Sequence, residues 1–170
     1  MFKVGISSII SNATQNFGSG SAISEAVNQT PLGLPYDASG NIIFLPISDG
    51  IRSNPLSELV PGKRVDERSN NRVFSAVFLE ANIIKGLKYK FLIGQDYQNF
   101  KRGNFEGTNT NTRKNGTPYG QLDQAEQRGY TMENLLTYNT SRGEHNIGAT
   151  FLQSAAEQNY ESSSLGAINL

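Results

Sequence analysis

The stretch "LEANIIKGLKYKFLIGQDY" (Leu79–Tyr97) decides the reading of this chain, because it holds two alternating runs joined by Ile84-Lys85-Gly86. Successive side chains of a strand point to opposite faces. Leu87, Tyr89, Phe91, Ile93 and Tyr97 therefore share one side, with Lys88, Lys90, Gly94, Asp96 and Gln98 on the other. Upstream, "NNRVFSAVFLEANI" puts Val73, Ser75, Val77, Leu79, Ala81 and Ile83 on one face, and Glu80 and Asn82 on the opposite one. Gly86 supplies the positive φ that a tight hairpin turn needs.

A second hairpin is expected downstream. Tyr130, Met132, Leu136 and Tyr138 oppose Glu133, Thr137 and Asn139, although Asn134 and Leu135 interrupt the pattern. After Ser141-Arg142-Gly143-Glu144, Ile147, Ala149, Phe151 and Ala155 alternate with Asn146, Gly148, Thr150 and Ser154. A fifth run opens the chain, with Phe2, Val4, Ile6 and Ile10 against Lys3, Gly5, Ser7 and Ser11. Helical periodicity is weak, and its best candidate, Leu122–Arg128, is too short for more than a turn or two and lacks an apolar stripe.

The connections separate the fold classes. Residues 18–70 and 102–128 read as long loops rich in Gly, Ser, Asn, Thr and Pro, whereas the two hairpin turns are tight. This puts the long loops at one end of the sheet and the short turns at the other, as in outer-membrane barrels. About ten tilted strand residues cover the roughly 25 Å apolar band of such a barrel. Tyr89, Tyr97, Tyr130 and Tyr138 then fall at girdle positions near strand ends. A soluble or surface-attached carbohydrate-binding β-sandwich, whose apolar face packs on a second sheet, fits the periodicity equally well. The asymmetry of the connections favours an all-β fold of antiparallel up-and-down strands, part of a large transmembrane β-barrel with long extracellular loops and short periplasmic turns.

Composition sets bounds rather than a function. The 170 residues hold 15 Lys plus Arg against 15 Asp plus Glu, and no Cys, so neither a nucleic-acid footprint nor a thiolate site is expected. Mean hydropathy is −0.43, which suits strands polar on one face and polar loops. The N-terminal "MFKVGISSII" is too short and polar for a signal sequence, and no run is long and apolar enough for a membrane helix. The single His145, beside a turn and without partners, reads as a solvated residue. "GSGSA" (Gly18–Ala22) lacks the Lys-Ser/Thr of a phosphate cradle and reads as a flexible loop, and no Gly-x-Ser-x-Gly elbow occurs. No enzyme activity, metal or cofactor is expected. In the loops, Tyr36, Phe44 and Tyr119 are candidate stacking surfaces for a ligand or partner, against the alternative that they pack loop on loop.

Five phrases taken in order carry a resemblance: "PLGLPYDASGNIIFLP" (Pro31–Pro46), "SNPLSEL" (Ser53–Leu59), "NNRVF" (Asn70–Phe74), "IIKGLKYKFLIGQDY" (Ile83–Tyr97) and "ENLLTYN" (Glu133–Asn139). Together they resemble the barrel region of SusC-like TonB-dependent outer-membrane transporters of Bacteroidetes. The resemblance implies uptake of glycans or peptides, with a SusD-like surface lipoprotein and TonB as partners and outer-membrane lipid as surroundings. Residues 1–170 are then expected to be a partial barrel of about five strands, without a plug domain, where such a transporter needs about 22. A piece of that kind leaves open edges and is expected to be inactive alone.

Overall fold

The computed structural model describes residues 1–47 and 50–170. Five strands, β1 (Phe2–Asn16), β2 (Arg64–Ile84), β3 (Leu87–Glu106), β4 (Tyr119–Arg142) and β5 (His145–Ile168), form one sheet in the order β1-β2-β3-β4-β5. Neighbours are antiparallel, so the chain is an all-β meander of the kind that builds a transmembrane barrel. The sandwich alternative requires a second sheet over the apolar face; the described strands all lie in the one sheet.

The strands run further than alternation indicates. β2 starts at Arg64 and β4 at Tyr119, inside the stretches expected as loops 18–70 and 102–128. Residues 48 and 49 of the first of these lie outside the described residues. At 20 to 24 residues, β2–β5 are about twice the length that a ~25 Å apolar band requires. Leu122–Arg128, the one helical candidate, belongs to β4: residues polar on both faces, such as Gln124 and Gln127, hide a strand from a search for alternation. Conversely, "GSGSA" is no plain loop, since α1 (Gly20–Asn28) begins within it, and α2 (Pro55–Glu58) follows. A helix as short as α1 is marginal by itself; contacts with α2 and burial of Ala22 and Glu25 on one side support it.

The described residues gather into two compact units. One, the strand unit, holds Met1–Asn12, Asn70–Asn99 and Ala125–Glu161; the other, the loop unit, holds Ala13–Ser69, Phe100–Gln124 and Ser162–Leu170. In the strand unit, Lys85-Gly86 joins β2 to β3 with Gly86 at φ 84°, and Gly143-Glu144 joins β4 to β5 with Gly143 at φ 60°. Gly86 is required for a second reason, because a Cβ there would lie 2.2 Å from the Asn139 carbonyl oxygen. Gly5 of β1 lies under the Phe78 ring, which would be 2.2 Å from an added Cβ. An aromatic side chain thus covers bare backbone on the neighbouring strand.

Apolar burial does not hold this chain together. Ala22 and Ala81 are the buried apolar residues among those described, whereas Phe2, Ile6, Ile93, Leu136 and Phe151 are exposed. A soluble domain of this length would enclose a core. Toward the tight turns most apolar side chains line one face of the sheet, and Arg72, Glu80, Lys88, Lys90 and Asp96 line the other.

Candidate functional site

The strand unit presents two chemically distinct faces. On the polar face, Arg72 donates to both Asp96 oxygens at 2.8 and 2.5 Å, and Gln98 Nε2 donates to Asn70 Oδ1 at 3.1 Å. Lys88 pairs with Glu80 at 2.7 Å, and the Lys90 ammonium stands 5.4 Å from the Phe78 ring centroid. Each partner lies directly across or one step diagonal on the adjacent strand, the spacing at which cross-strand pairs interact. Alternation therefore placed Lys88, Lys90 and Asp96 on the same face but did not reveal their partners. It also passed over Phe74 and Phe78, which share the parity of Arg72 and Glu80 and so carry rings into the polar face.

On the apolar face the polar exceptions satisfy one another. The Tyr89 hydroxyl donates to Asn134 Oδ1 at 2.5 Å, and Asn134 Nδ2 donates to Gln153 Oε1 at 3.0 Å. This accounts for Asn134, which interrupts the sequence pattern: its amide bridges β3 and β5. Further along, Tyr97 donates to Glu126 at 3.3 Å and Tyr130 to Glu157 at 2.9 Å, and Arg128 bonds Glu126. Tyr97 and Tyr130 are consequently near the middle of β3 and β4 rather than at strand ends. The apolar band lies between them and the tight turns, which is the physical reason the strands looked shorter than they are.

The loop unit is held by buried polar groups. Asn54, N-cap of α2, is 2% exposed; its Nδ2 donates to the carbonyls of Pro35 and Ile43 at 2.9 Å each, and its Oδ1 accepts from Leu56 N at 3.0 Å. Glu58 has its carboxylate enclosed, accepting from Ser19 and from the Asn111 backbone N–H, and Arg64 approaches it at 3.4 Å. Arg64 also faces Glu106 at 3.8 Å, and Glu106 receives Arg113 at 3.1 Å. Asp66 takes both Arg102 nitrogens at 2.9 and 2.8 Å, and Arg68, also beside it, covers the Phe17 ring at 4.1 Å. Nearly every member of "SNPLSEL" that is polar is therefore wired into the connections 17–63 and 107–118. Its signal in the sequence was the N-cap spacing Asn54-Pro55 followed by Glu58.

The three candidate stacking residues have separate surroundings. Tyr36 forms an isolated bridge with Ile42 and is 47% exposed. Phe44 is half-buried, and its carbonyl accepts from Asn54 N at 2.7 Å. Tyr119 opens β4 with Arg113 over its ring at 4.5 Å, Gly166 beside it and its hydroxyl donating to Gln121 at 2.9 Å. His145 is exposed at the start of β5.

No family model matches the chain. It is 33% identical over 138 residues to TonB-dependent receptor P3 of Formosa agariphila, a match that covers 79% of this chain and 13% of that protein. Among solved structures, the RagAB peptide transporter superposes with a TM-score of 0.64 at 15% identity over 98% of this chain and 20% of that one. The RagAB peptide importer gives 0.62 in its closed-closed state and 0.60 in its open-open state, at 16% and 19% identity. These cover 98% and 97% of this chain, and 20% and 19% of the other. At such identities the structures speak for the fold, and the receptor speaks for the lineage. The chain belongs to the TonB-dependent receptors of the bacterial outer membrane, within their transmembrane β-barrel.

Proposed function

We propose that this chain is a section of barrel wall in a receptor that imports glycans or peptides, working with a SusD-like surface lipoprotein and drawing energy through TonB, without catalysis of its own. The observation that carries the reading is the division of the strand unit into an uncovered apolar face (Phe2, Ile6, Phe151) and a face of paired charges (Arg72–Asp96, Lys88–Glu80). An apolar face with nothing over it suits acyl chains, and paired charges suit a water-filled interior. The names of the neighbours, a peptide transporter and a TonB-dependent receptor, support uptake as the activity. In this reading Tyr36, Phe44 and Tyr119 are contacts for the ligand or the lipoprotein, Tyr36 having the freest ring. By itself the piece is inactive, since open strand edges do not persist in hydrocarbon. Deleting the parent receptor's gene tests the reading: uptake of labelled oligosaccharides and peptides is expected to fall, and undiminished uptake of both would sink it. Retention of the surface lipoprotein on the tagged receptor tests the partner.

A further inference from the structure

The apolar face of the strand unit holds a recess of about 370 Å³ at the edge of its apolar band. Val77 of β2 and Ile93 of β3 bound it on the side of the tight turns, and the backbone of Gly94 and Gly129 lies beneath. One step further along the strands Ser75 and Gln95 line it, followed by Arg128 of β4 and Asn159 of β5, with the exposed Tyr130 ring alongside. Several polar groups around it are already engaged. Glu157 accepts from the Tyr130 hydroxyl at 2.9 Å and from Asn159 Nδ2 at 3.0 Å, and the Ser75 and Ser8 hydroxyls lie 2.9 Å apart. Arg128 reaches Glu126 through Nε and Nη2, which leaves Nη1 without a partner among the described residues. The Gln95 amide makes no hydrogen bond there either, and the Arg128 side chain keeps 67% of its surface exposed.

We propose that this recess holds the head of a membrane lipid that carries a phosphate beside an ammonium group, with the upper part of an acyl chain against Val77 and Ile93. A phosphate placed there takes Arg128 Nη1 and the Gln95 amide, both donors suited to an anion. The charge around the recess decides the kind of head, because one guanidinium stands against two carboxylates, Glu126 and Glu157. A purely anionic head meets a net negative rim, whereas an ammonium next to the phosphate offsets it. Along the strands the chemistry runs from apolar side chains to a tyrosine ring and then to charge, the order that a lipid presents from chain to head. The volume falls within the roughly 300–1,000 Å³ of small-molecule sites. The inference rests on the reading of the apolar face as the lipid-facing side of the barrel.

The test uses the full receptor in nanodiscs of equimolar phosphatidylethanolamine and phosphatidylglycerol, with native mass spectrometry counting the lipids retained on the released protein. Phosphatidylethanolamine is expected to be retained at least threefold over phosphatidylglycerol; a smaller preference overturns the site. Arg128→Gln or Gln95→Leu is expected to lower that retention threefold or more, while heat-modifiable gel migration shows the barrel folded. A smaller loss in every variant that folds overturns the site too. Glycerophosphoethanolamine, the head without its chains, is expected not to displace the lipid; displacement would show a site for free phosphate esters and overturns the lipid assignment. With lipid A added to the nanodiscs, its replacement of phosphatidylethanolamine would overturn the ammonium-bearing head. If a lipid-soluble photoprobe fails to label Phe91 and Ile93, the lipid-facing reading fails as a whole, whereas labelling without lipid selectivity sinks the site alone.

Discussion

At the scale of single residues, the enclosed Glu58 carboxylate ties together more of the loop unit's connections than alternation could show. Removing one partner of a buried ion pair leaves the other charge desolvated and costs about 3–5 kcal/mol. Glu58→Ala strips the acceptor from Ser19, Arg64 and the Asn111 N–H together. The expected outcome is local opening, read as faster hydrogen exchange at the Asn111 amide and protease cleavage within 107–118, with the strand unit protected as before. Asp37 makes a separate, exposed case. Its carboxyl is held below the ordinary 3.8 by the Asn41 backbone N–H and then by the Asn41 side chain, against an opposing desolvation, with the Ser39 and Gly40 N–H groups adding lesser support. A depressed folded value means the turn is fully supported above the unfolded value and loses support as pH falls through the folded one. The Asn41 amide resonance is thus expected to stay constant from pH 7 down to about 4 and to move only below that, and Asp37→Asn to abolish the movement. In the sequence this region reads as a loop, and none of these contacts was identified there. The partners of Glu58 lie 6 to 53 residues away.

At the scale of elements, the hairpin turns were legible and the strand lengths were not. Gly86 and Gly143 were identified from turn chemistry alone and both have positive φ. Gly86→Val places a β-branched residue at φ 84° against the Asn139 carbonyl. It is expected to cost at least about 2 kcal/mol from the backbone alone, and reduced barrel yield in the outer membrane by heat-modifiability measures it. The faces make a sharper pair. Phe91→Lys on the apolar face is expected to cost roughly 2–4 kcal/mol at mid-membrane. Lys90→Thr on the polar face gives up a half-buried cation–π contact of about 1 kcal/mol with Phe78 and a lesser attraction to Glu80. Urea titration of the folded receptor in lipid separates the two. Beyond Tyr97 in β3 and before Tyr130 in β4, both faces carry polar side chains such as Gln98 and Lys101, or Asp123 and Glu126. With no apolar face to repeat, period 2 disappears from the sequence although the backbone ladder continues.

At the scale of the whole molecule, the governing fact is the lack of an enclosed apolar core: Ala22 and Ala81 are the buried apolar residues among those described. Expressed alone, the chain is expected to aggregate or need detergent, because two open edges and an uncovered apolar face have no partners in water. A soluble monomer that unfolds cooperatively would contradict this. In native outer membranes, a lipid-soluble photoprobe is expected to label Tyr89, Phe91 and Ile93 and to spare Lys88 and Lys90. The sequence by itself determined the five strands, the two pairings made through tight turns, and the apolar side of each strand near those turns, because alternation and turn chemistry act between neighbours in the chain. Tertiary structure alone decided how far the strands extend, that connections read as featureless are pinned by Glu58, Asn54 and Asp66, and that Arg128 stands at the recess bounded by Val77 and Ile93. Those features arise from contacts across strands and loops tens of residues apart, where no local period records who meets whom.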